Sequence, residues 1–296
     1  MHFKNVTVAG SGVLGYQIAF QTAFHGFKVT VYDINDEVLD KAKAKFFELA
    51  ECYQRDLKAT QEQLDNAFIN LSYQTNLAEA VKDADLLIEA VPEYPAIKHD
   101  FYEKLSQVAP EKTVFATNTS TLLPSQFAET TGRPEKFLAL HFANMIWINN
   151  MAEIMGHAGT DKAVFDSLVD FAKAIGMLPL PIYKEQPGHI LNSMLVPYCI
   201  SALELWVKEV SDPETIDKTW MKSFGSPKGP FAILDIIGIN TVYNVAKLNI
   251  DASPLMAQIV ERLENEFIDR GHLGMPTGKG FYNYPNPAYE AKTFLQ

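Results

Sequence analysis

From Asn5 to Asp33 the chain reads NVTVAGSGVLGYQIAFQTAFHGFKVTVYD. Asn5 to Ala9 is a short β-branched run with the composition of a buried strand. GSGVLG follows, and from Gly15 onward the apolar residues of IAFQTAF recur at helical spacing. Lys28 to Tyr32 (KVTVY) reads as a second strand, and Asp33 stands at its end, 18 residues after Gly15. Strand, glycine turn, helix and strand in this order predict a βαβ unit and hence a parallel sheet.

The same rhythm continues. Leu71 to Thr75, Asp85 to Ala90, Thr113 to Thr117 and Phe137 to His141 are further strand candidates, with helical patterns between the first three. The polar helix after Asp33 is expected to break near Thr60, where Thr60 and Gln63 form a capping-box pattern. The alternation stops at Glu185-Gln186-Pro187-Gly188. Beyond it, Gly188 to Lys208 carries apolar residues at helical spacing, and Asp212-Pro213 and Ser253-Pro254 are helix starts. The expected fold is α/β: a doubly wound, mostly parallel sheet over residues 1–184, followed by an all-helical domain over residues 185–296.

Composition narrows the function. The 296 residues are 47% hydrophobic, ample for a sizeable core, and the net charge is −11 with no block of like charges. A nucleic-acid partner is therefore not expected. Cys52 and Cys199 lie far apart without a CxxC, which suggests neither a disulfide framework nor a zinc site and fits a reducing cytoplasm. No leader pattern opens the chain and no run of eighteen apolar residues follows, so neither export nor membrane insertion is expected.

Gly10-Ser11-Gly12-Val13-Leu14-Gly15 is a GxGxxG in the setting that gives this short motif meaning: after a strand, opening a helix, with an acidic residue ending the next strand. Gly10 permits the tight turn, Gly12 lets the backbone approach a pyrophosphate, and Gly15 lets the helix pack closely. The N–H groups at the helix start attract phosphate. Asp33 would accept from ribose hydroxyls and repel a 2′-phosphate, which favours NAD over NADP. A second, dispersed set comprises Asn118-Thr119-Ser120-Thr121 after one strand, His141 at the end of another, Glu153 twelve residues on, and Asn192 near a helix start. In a doubly wound sheet ligands bind outside the carboxyl ends of strands, where Ser120 and His141 would sit. An imidazole suits a general base, but it needs a partner to fix its tautomer, and a carboxylate among apolar neighbours needs pairing. On spacing alone His141 reads equally as a structural histidine, and Asn192 equally as a helix cap.

At this point the chain resembles the L-3-hydroxyacyl-CoA dehydrogenase family, most closely in layout its short-chain 3-hydroxybutyryl-CoA members. LLIEAVPE is similar to the family's VEAxxE, NTSTL to NTSSL, HFAN to HFFNP and GHILN to GFIVN. Further on, KGPFAILDIIGI is similar to MGPFELLDxxGL, and TGKGFYNY to TGxGFYxY. The resemblance implies a Rossmann domain with NAD as cofactor and a helical domain that binds substrate and forms a homodimer. It also implies His141 as the catalytic base, Glu153 as its orienting carboxylate, and Ser120 and Asn192 as contacts to the substrate oxygen and the histidine. Glu93 and Lys98 would help hold the cofactor and close the cleft, and Asn118 would lie near nicotinamide and substrate.

The likeness departs around the substrate. The family's HFFNPVPVMKLVE becomes HFANMIWINNMAE, its phenylalanine before the helix becomes His189, and its arginine becomes Ser193. Asn240 likewise stands where the family has an aspartate. Lys41, Lys43, Lys45, Arg55 and Lys58 could hold a polyanionic CoA, or simply face solvent. An acyl-CoA is the expected substrate. The alternatives are a free 3-hydroxy acid of the L-gulonate or carnitine type, with Trp147 and the paired asparagines lining the site, and a non-catalytic NAD-binding structural protein.

Overall fold

The computed structural model describes residues 3–296, which divide into two compact units, one ending at Ser193 and the other beginning at Met194. In the first unit, β1 (Asn5–Ala9), α1 (Gly15–Phe24) and β2 (Lys28–Tyr32) form the expected βαβ start. α2 (Asp36–Leu57), α3 (Gln61–Ile69), β3 (Leu71–Gln74), α4 (Leu77–Val81), β4 (Leu86–Glu89), α5 (Pro95–Val108) and β5 (Val114–Thr117) continue it. β6 (Phe137–Phe142), β7 (Met151–Gly156), α6 (Lys162–Ala174) and β8 (Leu178–Ile182) complete the sheet. The strand order is β3-β2-β1-β4-β5-β6-β7-β8, parallel throughout except where β6 and β7 run antiparallel. Their connection is short, and a short connection joins only antiparallel neighbours.

Alternate residues of the strands feed two cores. Val6, Val8, Leu86, Ile88, Leu138 and Leu140 pack with Ile18 of α1 and Leu168 of α6 on one face. Ala9, Leu87, Phe115 and Phe137 pack with Tyr102 of α5 on the other. This period of two, with both faces covered, is why the strands read as nearly continuous apolar runs. The break near Thr60 is present, with the hydroxyl of Thr60 accepting from Gln63 N and the side chain of Gln63 accepting from Thr60 N.

The second unit is helical: α7 (His189–Val207) runs into it, followed by α8 (Pro213–Phe224), α9 (Pro230–Ile237), α10 (Ile239–Leu248) and α11 (Pro254–Leu263). Two buried aspartates stitch it together. Asp217 accepts from Phe231 N and Ala232 N at the start of α9 and from the Tyr282 hydroxyl. Asp235 accepts from Phe281 N, Tyr282 N and the Tyr284 hydroxyl. The GPF and GKGFY motifs are thus structural: a Cβ on Gly229 would lie 2.4 Å from Asp217 Cγ, and one on Gly280 would lie 2.0 Å from Asp235 Oδ1.

α7 departs from expectation. It has 19 residues, and an 18-residue window within it reaches a mean hydropathy of 1.5, long and apolar enough to cross a membrane by length and composition, although Asn192, Ser193, Pro197 and Glu204 interrupt the apolar run. Exposed positions recur along it at Ile190, Met194, Pro197, Ser201 and Leu205, the spacing of one helix face.

Candidate active site

The glycine turn fits the cofactor that its pattern implies. Gly10 has φ +95°, and a Cβ there would lie 2.5 Å from Ala90 O; one on Gly15 would lie 1.8 Å from Gly10 O. At Gly12 nothing lies within 4 Å of the Cβ position, so this is where the turn leaves its backbone open to approach. α1 begins beyond Val13 and Leu14 with no side-chain cap and no acidic residue in its first turn. Its N–H groups are left for an anion. Asp33 closes the turn from β2, since its Oδ2 accepts from both the N–H and the hydroxyl of Ser11 at 2.7 Å. Ser11 was not anticipated as a partner; the only signal in the sequence is a hydroxyl between two glycines.

His141 and Glu153 meet without any long-range coincidence. They are register partners in the antiparallel β6–β7 pair, so main-chain pairing alone sets their side chains next to each other. His141 Nδ1 lies 2.9 Å from Glu153 Oε2. The other oxygen, Oε1, accepts from Ile190 N at 2.8 Å and Leu191 N at 2.9 Å, the first turn of α7. Burial alone would push the Glu153 carboxyl up, but donation by His141 and by Leu191 N–H takes it below the usual carboxylate range. An ionised Glu153 makes Nδ1 the donor, which leaves Nε2 of His141 as the acceptor that a base requires.

Around this pair the expected residues divide. Asn118 Oδ1 accepts from Phe142 N at 3.0 Å and ties the end of β5 to β6. Ser120 uses its main chain, its N–H donating to Glu93 and its carbonyl lying 3.5 Å from Asn192 Nδ2, and its hydroxyl has no hydrogen bond among the described residues. Asn192 sits within α7 and not at its start, so the reading as a cap falls away. Glu93 is partly exposed, and Lys98 and Thr119 hold it below the usual range against its partial desolvation; it also accepts from Ser120 N and Thr121 N. Lys98 is 1% exposed and bridges Glu89 at 2.7 Å and Glu93 at 3.1 Å.

Glu89 is the residue that the sequence reading overlooked. Fully buried at the end of β4, it accepts from Lys98, Tyr102, Thr117 and Val91 N, and so organises the strand ends that carry Glu93 and Ser120. A lone glutamate in the apolar run DLLIEA was its signal.

The rebuilt stretch between the two catalytic candidates folds back on the protein. Gln17 of α1 accepts from Met145 N and Ile146 N and donates to Asn144 Oδ1. Trp147 Nε1 donates to Asp56 of α2 at 2.9 Å, Asn149 Nδ2 to Asn144 O, and Asn150 Nδ2 to Gly176 O. Trp147 and the paired asparagines, which could serve a compact polar substrate, are therefore engaged with the scaffold. The basic residues of α2 are also locally paired: Lys41 with Glu37, Lys43 with Asp40 and Arg55 with Asp56, while Lys45 lies over the Tyr16 ring.

His189 does not face solvent. It is fully buried, its ring stacks on His141 with centroids 4.7 Å apart and planes 28° apart, and neither ring nitrogen makes a hydrogen bond among the described residues. Ligand atoms of His141, Glu153 and His189 lie within 4.8 Å of one another.

Residues 5–186 match the family described as "3-hydroxyacyl-CoA dehydrogenase, NAD binding domain", and residues 188–284 match "3-hydroxyacyl-CoA dehydrogenase, C-terminal domain". The human mitochondrial hydroxyacyl-coenzyme A dehydrogenase is 33% identical over 288 residues, covering 95% of this chain and 91% of that one. A solved structure described as "Substrate-directed dual catalysis of dicarbonyl compounds by diketoreductase" superposes with a TM-score of 0.92 at 52% identity, covering 96% of this chain and 100% of that one. The (S)-3-hydroxybutyryl-CoA dehydrogenase of Ralstonia eutropha superposes with a TM-score of 0.83 at 26% identity, with coverage of 96% and 100%. With both domain types in order along one sequence, the chain belongs to the 3-hydroxyacyl-CoA dehydrogenases, NAD-dependent oxidoreductases that act on a CH–OH group.

Proposed function

We propose that the protein interconverts short-chain L-3-hydroxyacyl-CoA and 3-ketoacyl-CoA with His141 as general base. The observation that carries this reading is the His141–Glu153 pair, buried and opposed across β6 and β7, with Glu153 clamped by the start of α7. NAD, when bound, accepts the hydride that leaves C3. His141 Nε2 takes the hydroxyl proton, and Glu153 holds the ring in the donating tautomer at Nδ1 and steadies the imidazolium. The free hydroxyl of Ser120 and the amide of Asn192 hold the substrate oxygen in this reading. Replacing His141 by Gln is expected to lower kcat by about 10²–10⁴-fold, the range for a lost acid–base group, with NADH binding by fluorescence titration unchanged. Retention of wild-type kcat would overturn the assignment.

A second substrate reading is favoured by the 52% identity to the solved diketoreductase and by the pairing of the α2 cations with neighbouring acids. Here the substrate is an uncharged dicarbonyl compound. Comparing acetoacetyl-CoA with a β-keto ester as oxidants of NADH separates the two, since activity on the ester alone would set aside the CoA substrate.

A homodimer formed through residues 185–296 completes the proposal, supported by the exposed apolar positions Ile190, Met194 and Leu205 on α7. Free Cys52 and Cys199 support a reducing, cytoplasmic setting.

A further inference from the structure

We infer that His189 is a specificity-determining residue, which hydrogen-bonds a second substrate oxygen placed two carbons from the reacting one. The inference rests on the proposed chemistry at His141. His189 lies at the C-terminal end of a two-residue left-handed turn, Gly188 at φ +79° and His189 at φ +56°, a conformation that disfavours a side chain larger than glycine. That turn does two things together. It presents Ile190 N and Leu191 N to Glu153, and it seats an imidazole against the ring of the base.

A phenyl ring would stack in that seat without loss, whereas an imidazole brings a donor and an acceptor that make no hydrogen bond of good geometry among the described residues, the nearby Ser120 main chain exerting a smaller pull on the ring than burial does. Buried polar groups are rarely left in that condition, and such a ring calls for a partner from outside the chain, a bound water or a substrate oxygen. With its ring against His141, whatever satisfies His189 lies beside the oxygen that His141 serves. Oxygens on alternate carbons lie about one hydrogen-bond length apart, so a 1,3-dioxygenated chain brings both to the two rings at once. Burial, and next to it the neighbouring His141, brings His189 down to about 4, so at neutral pH the ring is uncharged and offers one N–H and one lone pair. Such a ring recognises a carbonyl or a hydroxyl and has no charge for a carboxylate.

The test compares ethyl 2-oxobutanoate with ethyl 3-oxobutanoate, isomeric esters whose second carbonyl oxygen lies one or two carbons from the reacting one, for NADH-dependent reduction by wild type, His189→Phe and His189→Gln. Wild type is expected to prefer the 3-oxo ester in kcat/KM. His189→Phe, which keeps shape and stacking, should lower that preference about tenfold or more, the scale of one lost buried hydrogen bond, and leave the 2-oxo ester nearly unchanged. His189→Gln, which keeps a donor and an acceptor, should recover part of it. Equal losses on both esters, or an unchanged ratio in His189→Phe, would overturn the inference while leaving His141 as base. Reduction of neither ester or of acetoacetyl-CoA by wild type would overturn the proposed function, and this inference with it.

Discussion

His189 carries a pH signature independent of turnover. Its ordinary value of 6.5 is brought down to about 4 by burial and by His141. Between those values the unfolded chain takes up a proton that the folded chain refuses. Stability is therefore full above 6.5 and is lost as pH falls toward 4, by up to about 3 kcal/mol for a shift of this size. Urea midpoints measured at pH 7 and pH 4.5 should differ clearly in wild type, and by much less in His189→Phe. Glu93 and Glu153 act in a lower window: their carboxyls are depressed, so their contribution is present above 4.5 and is lost as pH falls below it. Glu153→Gln is expected to lower kcat more than it raises KM, because it alters how the base is held and leaves the substrate's remote contacts in place. Parallel changes in both would instead indicate a disturbed pocket. His141 and Glu153 were legible as residue types that apolar strands tolerate only for a reason. The spacing of twelve could not show that they are register partners, because that depends on where the chain reverses.

The glycine turn separates fold from ligand. Gly15→Ala would press a methyl onto Gly10 O and should markedly destabilise the first unit in thermal melts. Gly12→Ala meets no protein atom within 4 Å and should fold normally, yet weaken NADH binding by fluorescence titration at least tenfold. In the second unit, Asp235→Ala strips acceptors from Phe281 N and Tyr282 N and should destabilise it by about 2–6 kcal/mol, at roughly 1–3 kcal/mol per buried group left unpaired. Most elements were legible because they are bounded by strong signals: the capping box at Thr60, and proline at the starts of α8 and α11. β8 was not. Its LPLPI run holds two prolines, which argue against a strand until its position at the sheet edge is known, where a missing N–H has no partner to lose.

At the scale of the whole molecule, α7 carries a line of exposed apolar side chains along one face. Met194 is 63% exposed and Leu205 is 40% exposed. If a second copy covers them, as proposed, the double replacement Met194→Asp and Leu205→Asp should shift sedimentation from dimer to monomer; a wild-type protein already monomeric at micromolar concentration would remove the dimer from the reading. Domain order and cofactor class were legible because several separated motifs agree on them. The substrate was less so, since the residues that depart most from the family, Ala143 to Asn150, turn out to be anchored to α1 and α2. The β6–β7 pair shows why such a stretch is free to change. Main-chain pairing holds His141 opposite Glu153 whatever joins the strands, so the hairpin tip is an interchangeable cassette. Divergence there can remodel how the protein is built around its reaction without putting the reaction at risk, and chemistry is inherited through topology while selectivity is left to individual side chains such as His189.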